Sequence, residues 1–153
     1  MTKTKRSLKP EIRPAFRQGE IERTMRAVYV ESILCTMNVE RYQRELLFPS
    51  FLEALDDLYL GVIRACEFSS FLEPEVRIEA LTNSIVCLHF VSSKLMVFAK
   101  TKGINQEQLN KITIAMGKLS ELLHAFRAYS DERFSSGRSK NGPEKAQKKN
   151  PLS

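Results

Sequence analysis

The chain has 153 residues, a formal net charge of +6 and a pI of about 9.3, with 42% hydrophobic residues and only six glycines and six prolines. That length suits one domain with two short flanks. The opening MTKTKRSLKPEIRP has no apolar h-region, and the strongest apolar run, Ile85 to Val91, is short of the ~20 residues of a membrane span, so a cytoplasmic protein is expected.

The charge is unevenly placed. Residues 1–19 hold six Lys/Arg and one Glu, a net of +5, and residues 135–153 hold five and one, a net of +4. Residues 20–134 hold 13 basic and 16 acidic side chains, a net of −3. The expected organisation is a basic flexible arm (1–19), a helical body (20–134) and a disordered basic tail (135–153). Lys3, Lys5, Arg6, Lys9, Arg13 and Arg17 on the first arm, and Arg138, Lys140, Lys145, Lys148 and Lys149 on the second, are candidates for contact with a polyanion.

The first helix starts near Glu20. Ile21, Met25, Val28, Ser32, Cys35, Val39, Tyr42 and Leu46 recur at three and four, the spacing of one packed helical seam. A break near Asn38 is the alternative, with a second helix opening near Val39 and bending at Pro49. In the unbroken version the second helix begins after Pro49, where Ser50-Phe51-Leu52-Glu53 has the form of a capping box. Its seam is Phe51, Leu55, Leu58, Val62 and Ala65. Glu53, Asp56 and Asp57 would then complement the positive end of the helix dipole.

The third helix opens at Glu73-Pro74, with proline in the first turn. Ile78, Leu81, Ile85, Leu88, Ser92, Leu95 and Ala99 form its seam, and Gly103 suits a left-handed C-terminal cap. The fourth begins at Asn105, a cap-like residue three before Gln108. Leu109, Ile112, Met116, Leu119, Leu123 and Phe126 make its seam, widened by Ala115, Leu122 and Tyr129. Gly61 and Gly117, inside helices, are expected at close helix contacts. Short connections make neighbours antiparallel, so the expected fold is an all-α, up-down-up-down four-helix bundle.

Val86, Phe90 and Val97 form a second apolar line, opposite the main seam of the third helix. Either this helix is unusually central or the line meets another subunit; we expect a homo-oligomer interface. Lys111 and Lys118 share an outward face of the fourth helix. They are read as a solvated lysine face or, with Lys94 and Arg127, as a phosphate-facing surface.

Catalytic constellations are not apparent. The only histidines, His89 and His124, differ by roughly 12 Å in height along a helical hairpin, too far to share a metal. Glu121-Leu122-Leu123-His124 is a single E-x-x-H without the counterpart that a di-metal bundle requires. No phosphate-cradling glycine loop or nucleophile elbow occurs. Cys35, Cys66 and Cys87 lie singly among apolar residues, as expected of buried thiols in a reducing compartment. No catalytic residue, metal, cofactor or small-molecule substrate is expected.

The stretch EVRIEALTNSIVCLHFVSSKLMVFAKTKGINQEQLNKITIAMGKLSELLHAFR resembles a family of small bacterial four-helix bundles. That family includes proteins encoded in ribosomal-RNA intervening sequences and the accessory variability determinants of diversity-generating retroelements. The resemblance rests on Gly103-Ile104, the polar opening Asn105 to Gln108, Met116-Gly117-Lys118-Leu119, Leu122-Leu123 and Arg127. It implies a ring-shaped, pentameric homo-oligomer without a catalytic site. For the retroelement branch it further implies association with a reverse transcriptase and its RNA during mutagenic copying. Members of that branch carry strongly basic bodies, whereas this body is net acidic. The alternative from another class is an oligomeric helical-bundle adaptor for proteins, with no nucleic-acid role.

Overall fold

The computed structural model describes the backbone of residues 14–67 and 74–149, and side chains for 19–66, 75–132 and Ser135. Four helices account for it: α1 (Pro14–Cys35), α2 (Arg41–Glu67), α3 (Pro74–Phe98) and α4 (Gln106–Lys149). Each helix packs on its neighbour in sequence, and α1 closes the ring against α4. The α1–α4 and α2–α3 pairs are the most extensive; α1–α2 is the least. The architecture is an all-α, up-down-up-down four-helix bundle.

The boundary between the first two helices departs from the unbroken reading. α1 ends where the amides of Thr36 and Met37 donate to the carbonyls of Ile33 and Leu34, at 3.2 and 3.3 Å, a tightened last turn. The Thr36 hydroxyl also donates to Ile33 O at 2.9 Å. α2 then opens after Glu40, whose Oε1 accepts the Gln43 amide at 3.1 Å, serving one of the orphan donors of a helix start. The chain therefore reverses around Asn38, as in the alternative reading.

Two expectations fall with that boundary. Tyr42 and Leu46 do not continue the α1 seam: they are 67% and 64% exposed on α2. Ser50 and Glu53 are not a capping box, because α2 runs through Pro49 as one helix. The proline lies on an exposed side of α2, where water can serve the carbonyl it leaves without an N–H partner. Glu53, Asp56 and Asp57 consequently stand in the middle of α2, where the dipole of the helix start gives them no support.

The core is otherwise close to the pattern expected. Ile21, Met25, Val28, Ser32, Cys35 and Val39 are buried, as are Phe51, Leu55, Leu58, Val62 and Ala65. From α4 come Ile112, Met116, Leu119, Leu122, Leu123 and Phe126. In α3 the phase shifts: Val91 and Phe98 are buried and Ser92 is exposed. The Phe51 and Phe98 rings meet edge to face with centroids 5.3 Å apart, a favoured aromatic geometry. Gly61 does mark a close approach, since a Cβ there would stand 2.8 Å from Ser84 Oγ. Gly117 does not: it is exposed and a Cβ there would meet nothing within 4 Å.

At one pole the two described connections interlock. Gly103 takes a left-handed φ of +87° and lies against the Asn38 carbonyl. The Asn105 amide donates to Cys35 O at 3.3 Å, and Asn105 Oδ1 caps α4 by accepting the Gln108 amide at 3.0 Å. Farther down, Lys118 Nζ pairs with Glu20 at 3.3 Å, so α4 runs antiparallel to α1. α1 thus starts at the opposite pole, toward which α4 runs. Among the described side chains Ser130 is the last buried one on α4, whose helical backbone is described to Lys149.

Among the described residues one segment, Glu75–Phe98, is long and apolar enough to cross a membrane by composition. The continuous run Ile85 to Val91 understates it. In the bundle its buried residues pack against α2 and α4.

Candidate functional site

The outward sides of α2 and α3 carry several exposed apolar residues. Phe90 is 60% exposed, and Val86 and Val97 are about half exposed, directed away from the seam as the sequence suggested. α2 adds Tyr42, Leu46 and Leu60, all more than 60% exposed. Leu60 was not anticipated. Its signal was a leucine two residues past the buried Leu58, off the seam but on the same helix as Leu46.

Between the helices lies an open groove of about 180 Å³, lined by Ser50, Glu53, Ala54, Asp57, Cys87, Phe90 and Lys94. Lys94 Nζ donates to Ser50 Oγ at 3.1 Å, tying the two walls together. Glu53 and Asp57 are exposed on the α2 wall. Asp56 turns toward α1 instead, where its Oδ1 accepts the Tyr29 hydroxyl at 2.6 Å. That bond, with some burial, raises the Tyr29 phenol above its usual value of 10. Cys87 is half-buried in the groove; burial, aided by the Asp57 charge, raises its thiol pKa and keeps it protonated near neutrality. Cys35, fully buried, is pushed up to about 11 by desolvation and then by Glu31. Cys66 is buried as well.

The body cations proposed as a phosphate-facing surface do not form one patch. Lys94 belongs to the α2–α3 groove. Lys118 pairs with Glu20 across the α1–α4 face. Arg127 donates from Nε to Thr82 Oγ1 at 2.7 Å, bridging α4 to α3. Lys111 is exposed on α4. Three of the four therefore hold partners within the bundle, on different faces. Lys3, Lys5, Arg6, Lys9 and Arg13 lie outside the described residues. For Arg17, Arg138, Lys140, Lys145, Lys148 and Lys149 only the helical backbone is described.

His89 and His124 are both exposed, on α3 and α4. Among the described residues no three His, Cys, Asp or Glu side chains gather as a metal site would need. No family model, curated protein or solved structure matches this chain.

Proposed function

We propose that this chain is a non-enzymatic, self-associating helical bundle that serves a nucleic-acid enzyme as an accessory subunit. The observation that carries the reading is the exposed line Val86, Phe90 and Val97 on α3, beside Leu46 and Leu60 on α2. An apolar surface of that extent on a small bundle suits protein contact. The basic flanks supply attraction for a polyanion, and chain topology directs both toward the same pole. On the resemblance of residues 75–127, the enzyme is the reverse transcriptase of a diversity-generating retroelement, the polyanion its RNA, the assembly a pentamer and the setting the cytoplasm.

Self-association is tested by light scattering of the whole chain and of Phe90→Glu. The wild type should exceed the mass of one chain. The variant should dissociate with unchanged far-UV helicity, since the seam is untouched. A monomeric wild type removes the reading.

RNA contact is tested by anisotropy titration at several salt concentrations, comparing the whole chain with residues 20–134. Each single-strand phosphate neutralised adds a salt slope of about −0.7, so some four contacts per subunit give a slope near −3. The trimmed chain, net −3, should bind far more weakly and with little sequence preference in either case. If neither binds RNA, the adaptor reading takes its place. The internal partners of Lys94, Lys118 and Arg127 favour that second reading for the body itself.

A further inference from the structure

The geometry points to a specific register for the self-association proposed above, on which this inference rests: α3 of one copy seats on α2 of the next at equal height, with Lys94 of one against Glu53 of the other. The argument begins with the heights of residues along the shared face. Gly61 lies against Ser84 and Ser50 against Lys94, which fixes the antiparallel register of α2 and α3. In that register Leu60 is level with Ser84 and Ile85, about one to two residues from Val86. Ala54 is level with Phe90, and Glu53 lies about one residue above them, toward the level of Lys94. Leu46 falls within a turn of Val97.

Val86, Phe90 and Val97 on the α3 side thus each have an apolar counterpart on the α2 side within about two residues of their own height. The charges lie close in height: Lys94, level with Ser50, stands about two to three residues, or ~4 Å, above Glu53, within reach of its long side chain, while Asp57 is about six residues away. The acids Glu53 and Asp57 line the α2 wall and the base Lys94 lines the α3 wall. The face is therefore complementary to itself, provided that α3 of one copy meets α2 of another.

A second copy related by rotation about an axis parallel to the helices meets that condition, because such a rotation leaves every height unchanged. Val86 then faces Leu60 of the second copy, and Val97 faces Leu46. Phe90 enters the other copy's groove above Ala54, and Lys94 meets Glu53. Rotation about an axis perpendicular to the helices instead lays α2 on α2. Glu53 and Asp57 would then face like charges, which costs association energy and disfavours the arrangement. Charge thus selects the parallel-axis contact, and apolar matching gives it area.

The test mixes two variants of the whole chain. Lys94→Glu alone and Glu53→Lys alone each set like charges against each other at every contact. Each should raise the concentration of half-dissociation by about tenfold or more in analytical ultracentrifugation. An equimolar mixture of the two restores opposite charges at contacts between unlike chains. It should regain most of the wild-type association as mixed heteromers, with one like-charged contact left over in a five-membered ring. Rescue by mixing separates this contact from any role of Lys94 within its own chain, which mixing cannot repair. Both positions lie outside the core, and matching thermal melts check the fold. If Glu53→Lys melts early, Glu53→Gln replaces it: it should weaken association alone and partly rescue Lys94→Glu on mixing.

If the single variants associate like wild type, or dissociate and are not rescued by mixing, the register is wrong although self-association stands. If the wild type is monomeric, the self-association reading itself falls.

Discussion

Gly61 and Ser84 mark a close approach of α2 to α3. A Cβ at Gly61 would stand 2.8 Å from Ser84 Oγ, and that hydroxyl is itself held by a 3.0 Å bond to Ala80 O. Alanine would gain about 1 kcal/mol of helix propensity at this position. Overpacking a buried contact costs about 1–3 kcal/mol and should prevail. Gly61→Ala is expected to destabilise the bundle in urea melts, and adding Ser84→Ala should return much of the loss. Gly117→Ala, with open space around it, should instead stabilise by about 0.5–1 kcal/mol. Effects of the same sign at both glycines would contradict the packing described.

Leu119 and Lys118 are adjacent in sequence and opposite in role. Leu119 is fully buried, whereas the Lys118 side chain is 55% exposed with one ion pair to Glu20. Leu119→Ala should cost about 2–5 kcal/mol. Lys118→Ala should stay within about 0.5 kcal/mol, since exposed ion pairs contribute little. Denaturant midpoints of the two variants decide the matter, and equal shifts would mean that α4 is wrongly phased.

The Tyr29–Asp56 bond gives stability a dependence on alkaline pH. The phenol is raised in the folded chain because its hydroxyl proton is shared with a carboxylate. A raised pKa stabilises the fold fully below the ordinary phenol value near 10, and this contribution is lost as pH rises beyond it. Tyr29→Phe should cost about 0.5–1.5 kcal/mol at pH 7. It should also flatten the decline in melting temperature above pH 10. A variant as alkali-sensitive as wild type would assign that decline to other groups.

Thiol labelling tests the burial of the cysteines. At pH 8 a disulfide reagent should modify Cys87 slowly in the native chain, because its thiolate is disfavoured and half covered. Cys35, with a pKa of about 11, and buried Cys66 should react only after denaturant is added. Three fast equivalents without denaturant would be incompatible with the core described.

The parts legible in the sequence were those where periodicity ran without a break. The seam of α2 from Phe51 to Ala65 and that of α4 from Ile112 to Phe126 are carried by apolar residues at fixed helical spacing, and both are buried. The end of α1 was harder to read, because the turn at 36–38 has neither Gly nor Pro. Val39, Tyr42 and Leu46 keep the α1 spacing by coincidence. Pro49 then misdirected the reading, since a proline on an exposed helix face ends nothing when water satisfies the freed carbonyl. In α3, steps of three and four are both compatible with 3.6 residues per turn, so the pattern alone does not separate Ser92 from the buried Val91. The outward line at Phe90 was legible as a residue of that seam. The groove beside it was not, because it needs the register of α2 against α3, which only the paired structure supplies.

The uneven packing among the four helices has a consequence for how the molecule divides. α1 is held chiefly by α4, and α2 by α3, while α1 and α2 touch each other least. The first hairpin therefore has little of its own to keep it shut, and most of its apolar surface belongs to contacts with the second. A chain severed between Glu67 and Pro74 should yield two halves that are poorly structured apart. Together they should reassemble into the parent fold, as a reporter reconstituted from fragments does.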